Sequence, residues 1–256
     1  MLTDSVTVGQ QLAQQIASLL TDIRATLSRG TVEDWGQIAK YSPQTCPKNV
    51  ANSFLLCCLL DYQIPTKLAW NNGWRLVQHF SDPDDIWREI TSCTEEKWHA
   101  QFKQLHLHRF PAAHDRLWKI GKKMCRYYEG DARNIWNNRD ANEVQTRLFD
   151  IGAGEQISRM VAGALRDMHY VEGSGDVKAD VHVCRVLGRL VNGKTIEPVA
   201  ATELARKINP SDPWQLDWPL WNIGNSLCHP NNPLCSQCKA KADKLCFYAQ
   251  EHSLGG

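Results

Sequence analysis

The spacing of apolar residues is the feature of this sequence that most restricts its fold. In the first segment, apolar side chains recur three or four residues apart, the interval that places them on one face of a helix: Leu12, Ile16, Leu19, Leu20, Ile23 and Leu27. The same spacing predicts further helices over 48–60, 66–80, 83–91, 94–104, 112–128, 141–149, 155–169, 179–191, 198–208 and 213–226. No segment sustains the alternation of apolar and polar residues that predicts a strand. We therefore expect an all-α protein.

The composition supplies a core but no membrane span. A chain of 256 residues with 43% hydrophobic residues is long enough for one large domain or two small ones. No run approaches the roughly 20 apolar residues of a membrane helix, and the N-terminus has neither a basic start nor an apolar signal core. We expect a cytoplasmic protein that does not bind membranes. The formal net charge of +1 means that any basic surface has to be local.

Four cysteines near the C-terminus share one short segment with the spacing C-x6-C-x2-C-x7-C: Cys228, Cys235, Cys238 and Cys246. In a reducing compartment, clustered thiols more often bind metal than form disulfides. Four thiolates on one loop-rich segment hold either a [4Fe–4S] cluster or a tetrahedral zinc ion. Zinc sites usually combine two close C-x2-C pairs, so the single pair with wider gaps favours the cluster. Zinc, or buried thiols without a metal, are the alternatives.

A glycine-containing turn separates two helical patterns at "DIGAG", residues 150–154. Gly152 and Gly154 permit a tight connection between helices, and the backbone N–H groups that open the second helix can bind a phosphate. An ordinary helix connection would contain the same residues. Further along, Asp180 begins a helix that turns Arg185 and Arg189 to one side. An aspartate at this position is usually an N-cap.

Taken in order, the turn, the Asp180 helix and the cysteine pattern resemble the helix-hairpin-helix DNA glycosylases of the endonuclease III type. The segment "LLDYQIPTKLA" is similar to a part of that family whose glutamine fills the gap left by an extruded nucleotide, which is Gln63 here. The resemblance covers about residues 48 to 246. It implies two helical domains with a DNA-binding cleft between them. One spans 47–172 and carries the wedge loop and the hairpin; the other combines 1–46 with 173–256 and carries Asp180 and the cluster.

The resemblance implies a role for each motif. Asp180 would stabilise the cation-like sugar that forms as the base leaves, and the backbone at Gly152 and Gly154 would hold a phosphate beside the lesion. The position of the lysine nucleophile in bifunctional relatives holds Gln156, an amide that cannot form a Schiff base. Adenine-excising relatives carry a glutamate before the wedge glutamine, and the nearest acid here is Asp61.

Two residues beside the wedge are candidates for the base pocket. Asp61 would read or protonate the base, although a solvated loop carboxylate is an equal alternative. Tyr62 is the aromatic residue that we single out for the same pocket, and Gln156 is included in it.

We therefore expect a monofunctional, iron–sulfur-containing, monomeric DNA glycosylase that hydrolyses the N-glycosidic bond of a damaged or mismatched base in double-stranded DNA. Such an enzyme would associate with the nucleoid in a prokaryote. Two alternatives are a non-catalytic DNA damage sensor, which would not need Asp180, and a zinc-stabilised helical interaction protein.

Two further segments have no assigned role. The stretch 31–48 is the best candidate for a linker. The stretch "RLWKIGKKMCR" holds five cations that helical spacing distributes over more than one face, so either a solvated surface or a DNA contact accounts for them: Arg116, Lys119, Lys122, Lys123 and Arg126.

Overall fold

The computed structural model describes residues 8–27 and 29–253, and in these ranges the chain is helical. An isolated bridge between Asp140 and Glu172 is the only β-type pairing among them. The prediction of an all-α protein is confirmed. None of the helices in these ranges is both long and apolar enough to cross a membrane.

The helices, in chain order, are α1 Gln10–Ala25, α2 Val32–Trp35, α3 Lys48–Leu60, α4 Thr66–His79, α5 Ile86–Thr91, α6 Glu95–Gln104, α7 Ala112–Tyr128, α8 Arg133–Trp136, α9 Ala141–Ile151, α10 Glu155–Asp167, α11 Val181–Asn192, α12 Pro198–Ile208, α13 Asp217–Ser226, α14 Lys239–Ala242 and α15 Phe247–Ser253. Four short 3₁₀ turns cover Gly36–Lys40, Pro83–Asp85, Pro213–Leu216 and Cys235–Gln237. Each predicted range overlaps one helix, although α9 and α11 extend past the predicted ends at 149 and 191. The short helices α2, α8, α14 and α15 were not predicted.

The described residues divide into two compact units. A central unit covers Arg29–Gly173, and a terminal unit is built from the described residues of 1–28 and 174–256. Each has a hydrophobic core of its own, one around α3 and the other around α11. Residues 29–46 belong to the central unit, whereas the sequence analysis assigned them to the terminal domain. Residues 1–7, 28 and 254–256 of that predicted domain lie outside the described residues.

The interpretation of 31–48 as a linker is wrong. This stretch contains α2 and a 3₁₀ turn, and it buries Trp35, Ile38 and Cys46 in the central core. The hydroxyl of Tyr170 donates to the carbonyl oxygens of Ile38 and Tyr41, each at 3.1 Å. The proline-containing segment "SPQTCP" has the composition of a linker. The apolar residues of the stretch nevertheless pack into the central core.

Helix α3 is the buried centre of the central unit, with every residue from Ala51 to Leu60 shielded from solvent. A helix that is apolar on all sides requires neighbours all round. Its one buried amide, Asn52, makes four hydrogen bonds. Its Nδ2 donates to the carbonyl oxygens of Asp84 and Gly130, and its Oδ1 accepts from the Trp87 indole and from the backbone N–H of Ala132. Asn52 therefore joins α3 to two loops and to α5.

Helix α11 has the same place in the terminal unit. All its residues from Val183 to Leu190 are buried, and α11 packs against α12, α13 and α15. The helix begins directly after Asp180 and ends at Gly193, which has a φ of 76°. A left-handed glycine is a frequent helix stop, because it has no Cβ to clash.

We expect Asn52→Ala to lower the free energy of unfolding by about 4 kcal/mol, because it leaves two donors and two carbonyl oxygens buried without partners. Urea unfolding followed by circular dichroism measures the change. Asn71, which is exposed on α4, provides the control. Asn71→Ala should shift the free energy by less than about 0.5 kcal/mol, and equal effects of the two variants would contradict the role of the Asn52 network.

Candidate functional site

The wedge candidate Gln63 lies three residues beyond the end of the buried helix α3, in the loop that leads to α4. Its side chain is exposed and its φ is 53°, a left-handed value that is uncommon for a residue other than glycine. Arg109 donates from Nη2 to the carbonyl oxygen of Gln63 at 2.6 Å. The backbone of Gln63 is thus held from a distant loop while its side chain points to solvent.

The ring of Tyr62 is engaged by three side chains. It is stacked on His108 at a centroid distance of 6.0 Å, and Phe110 meets it edge-on at the same distance. The guanidinium of Arg116 lies 4.6 Å from the ring centroid, a cation–π contact. Arg116 also donates to the carbonyl oxygen of Leu59 near the end of α3, at 2.7 Å. Together these contacts form a clasp on the wedge loop.

His108 holds this clasp in its neutral form. The backbone N–H of Phe110 donates to Nδ1 at 3.2 Å, so Nε2 carries the proton and donates to the carbonyl oxygen of Tyr62 at 2.9 Å. Burial lowers the pKa of His108, and the positive charges of Arg116 and Arg109 lower it further. Protonation would place a donor opposite the Phe110 N–H and break that contact.

Asp61 is buried where α3 ends, and its carboxylate is not a solvated loop group. The hydroxyl of Thr66 at the start of α4 lies 3.4 Å from each of its two oxygens. The carboxylate is therefore positioned by the same loop that presents Gln63.

The hairpin candidates connect α9 to α10. Gly152 has a φ of 105° and ends α9, and Gly154 has a φ of 81° and begins α10. Both are exposed, and a Cβ on Gly154 would meet nothing within 4 Å, so a ligand can approach the backbone closely. Among the described residues, no side chain caps the N–H groups that open α10. Lys123 donates to the carbonyl oxygen of Asp150 at 2.6 Å and fixes the end of α9.

The first turn of α10 carries Glu155 and Gln156. Glu155 would repel a phosphate, but its carboxylate is neutralised by Arg159 at 2.6 Å. Gln156 is half-buried, and its Oε1 is buried without accepting a hydrogen bond from any described residue. A buried amide oxygen without a donor is uncommon in folded proteins, and it calls for an explanation.

Asp180 caps α11, as the conservative interpretation of the sequence predicts. Its Oδ1 accepts from the backbone N–H groups of His182 at 2.8 Å and Val183 at 3.1 Å. The residue is half-buried, and Oδ2 takes no part in this cap. The arrangement leaves a fixed carboxylate with one oxygen outside the cap.

The four cysteines of the C-terminal pattern line one pocket, together with apolar side chains of α11 and α13. Burial raises the pKa of Cys238, and it raises that of Cys246 to about 11. Within the described part of the chain, no three of the four sulfur atoms lie within 4.8 Å of one another. These four thiols line the same pocket and could hold a metal group.

Two arginines of α11 bind the cysteine loop. Arg189 donates to the carbonyl oxygens of His229 and Pro230 at 2.7 and 2.8 Å, and to the sulfur of Cys228 at 3.4 Å. Arg185 donates to the carbonyl oxygens of Cys228 and Gly224. The helix that begins at Asp180 is therefore also the support of the first thiol.

Sequence reasoning missed His108, Arg109 and the clasp role of Arg116. No local pattern marks them, because they lie 46 to 57 residues along the chain from the groups that they contact. The sequence showed that Arg185 and Arg189 lie on one side of α11. It did not show that this side binds the cysteine loop.

The chain is similar to two known proteins. Over 63 residues it is 36% identical to an endonuclease III of Thermotoga maritima, a match that spans 24% of this chain and 30% of that protein. The solved structure of a thermostable thymine-DNA glycosylase matches with a TM-score of 0.58 and 13% sequence identity, over 94% of this chain and 98% of that chain. No family model matches the chain. The resemblance to the helix-hairpin-helix DNA glycosylase superfamily is confirmed, with the helical fold of that group.

We expect the pKa of His108, measured by NMR titration, to lie below the ordinary value of about 6.5, and Arg116→Met to raise it. The stability contributed by neutral His108 is complete above about pH 6.5 and is lost as the pH falls from there through the folded-state pKa. Lys97→Met, an exposed change on α6, should leave the pKa unchanged. A wild-type pKa of 6.5 or higher would contradict the neutral clasp.

Proposed function

We propose that this protein is a monofunctional DNA glycosylase that hydrolyses the bond between a damaged or mismatched base and its sugar in duplex DNA. The observation that carries the proposal is the half-buried carboxylate of Asp180, held by its helix with one oxygen outside the cap. A DNA-binding module without catalysis would need the cap but not the charge.

In this mechanism Asp180 stabilises the transition state electrostatically. As the bond from C1′ to the base nitrogen breaks, positive charge develops on the sugar, and a fixed carboxylate stabilises it without having to reorganise. The same group can orient or deprotonate the water that attacks C1′. The two N–H donors that hold Oδ1 keep the carboxylate in place throughout.

The hairpin fixes the position of the DNA strand relative to the protein. The exposed backbone at Gly152 and Gly154, with the uncapped N–H groups of α10, binds a phosphate of the damaged strand through backbone donors alone. Such a contact carries no sequence information. It leaves the choice of base to the pocket.

Gln63 and Gln156 have different roles at the extruded nucleotide. Gln63 is exposed on a rigidly held loop, as a residue that fills the space of a flipped base has to be. The buried Oε1 of Gln156 would accept a hydrogen bond from the base, which accounts for its missing donor. Asp61 and Tyr62 support this pocket from the same loop. Because Gln156 has no amine, water is the nucleophile and an abasic site is the product.

The cysteine pocket fits a [4Fe–4S] cluster. Tetrahedral zinc with bonds of about 2.3 Å requires four sulfur atoms about 3.8 Å apart, whereas no three of the described thiols lie within 4.8 Å of one another. The wider set, Cys228, Cys235, Cys238 and Cys246, suits a cuboidal cluster, which would stabilise the loop and can transfer electrons when bound. The catalytic steps proposed above use none of its chemistry.

We propose a monomer whose partner is double-stranded DNA.

A panel of duplexes, each with one modified or mismatched base, tests this function. We expect the wild-type protein to produce abasic sites that become strand breaks only after alkali, and borohydride to trap no covalent adduct. Asp180→Asn should bind the preferred duplex normally and excise about 10²–10³-fold more slowly, the usual cost of one preorganised electrostatic group.

Asp140→Asn is the matched control, because Asp140 caps α9 through Oδ1 in the same way. Asparagine caps almost as well as aspartate, so both variants should keep the melting temperature of the wild type. Single-turnover excision by Asp180→Asn within threefold of the wild type would reject the catalytic role and favour the damage-sensor alternative.

The metal content of the purified protein tests the cluster. We expect a brown protein with about four irons per chain, and loss of colour and iron in Cys246→Ser. Cys93→Ser, at a half-buried cysteine outside the pocket, should retain both. A colourless protein with one zinc per chain would reject the cluster and leave the glycosylase proposal standing.

A further inference from the structure

The five cations that the sequence analysis left unassigned lie on one face of one helix. Arg116, Lys119, Lys122, Lys123 and Arg126 all belong to α7, which runs without a break from Ala112 to Tyr128. At about 100° per residue, they fall within roughly 120° of the helix circumference. The expectation that they spread over more than one face is wrong, and we call this face the α7 stripe.

Two residues of the α7 stripe contact the two DNA-facing candidates of the central unit, the wedge loop and the hairpin. Arg116 contacts the wedge loop at Tyr62, and Lys123 binds the carbonyl oxygen of Asp150 beside the hairpin. These two residues are separated by seven positions, or about 10 Å along the helix. Lys119 and Lys122 lie between them and are exposed, and Arg126, which is also exposed, lies beyond Lys123.

The described residues of the protein do not neutralise the stripe. Within the described ranges none of its five cations is paired with a carboxylate, and its segment from Arg116 to Arg126 contains no acid. Elsewhere the chain pairs its arginines closely: Arg133 with Asp131, Arg147 with Glu143, Arg159 with Glu155 and Arg206 with Asp176. A solvated surface usually mixes both signs of charge.

We propose that the α7 stripe binds the phosphate backbone of duplex DNA along the strand that the wedge and the hairpin engage. The length from Lys119 to Arg126 is about 10 Å, and one strand of duplex DNA presents about three phosphates in about 10 Å of rise along the helix axis. Lysine and arginine side chains at successive turns neutralise those phosphates without reading bases. The identity of the partner rests on the proposed function, whereas the location of the surface rests on the unpaired charges.

The double variant K119Q/K122Q tests the stripe, with K97Q/K103Q as its control, since Lys97 and Lys103 are exposed on α6 of the same unit. Each phosphate contact contributes about 0.9 to the slope of log Kd against log salt concentration. We expect the stripe variant to lower that slope by about 2 on undamaged duplex, as two phosphate contacts should. Its affinity deficit should shrink about tenfold between 50 and 200 mM salt. The control should keep the wild-type slope.

The outcomes separate this proposal from the proposed function. If the wild type excises a base and both variants have its salt slope, the stripe proposal is overturned and the glycosylase stands. If no duplex of the panel is excised but only the stripe variant loses slope, the surface stands and the enzyme does not. Equal loss in both variants, or a wild type that does not bind duplex, overturns the stripe. Melting curves of the two variants confirm that they are folded.

Discussion

An all-helical chain has to satisfy the backbone groups left open at every helix end, and the wedge, the hairpin, Asp180 and the first cysteine of this protein lie at or near such ends. Gln63 follows the C-terminus of α3, and the hairpin joins α9 to α10. Asp180 accepts the first N–H groups of α11, and Cys228 comes two residues after α13. Exposed backbone donors, fixed carboxylates and left-handed residues arise there because a helix interior offers none of them.

Those ends are precise only because the helices behind them cannot move. α3 and α11 are buried on all sides, and each is joined to its surroundings by a buried polar side chain. Asn52 joins α3 to two loops, and Arg189 joins α11 to the cysteine loop. An unpaired buried group costs about 1–3 kcal/mol, so each side chain strongly favours a single position for its helix. Packing alone would tolerate small shifts.

The sequence predicts the helices well, since apolar spacing and capping are local properties, and it identifies Gly152, Gly154 and Asp180 by the turn and the cap that they form. It does not predict the clasp, because His108 and Tyr62 are 46 positions apart and meet only in the folded chain. The linker interpretation of 31–48 failed for a related reason. Its prolines and polar residues are visible locally, whereas the cavity that receives Trp35 and Ile38 is formed by other segments.

Net charge was the least informative property, and the structure explains why. The chain has 29 basic and 28 acidic residues. Many of the acids have internal duties: Asp82, Asp140 and Asp180 cap helices, while Asp131, Glu143 and Glu155 neutralise arginines. Carboxylates committed to helix ends and ion pairs do not offset the cations of α7. A nearly neutral protein can therefore present a strongly basic face. In this protein that face is the α7 stripe, whose cations form no ion pair with a carboxylate among the described residues.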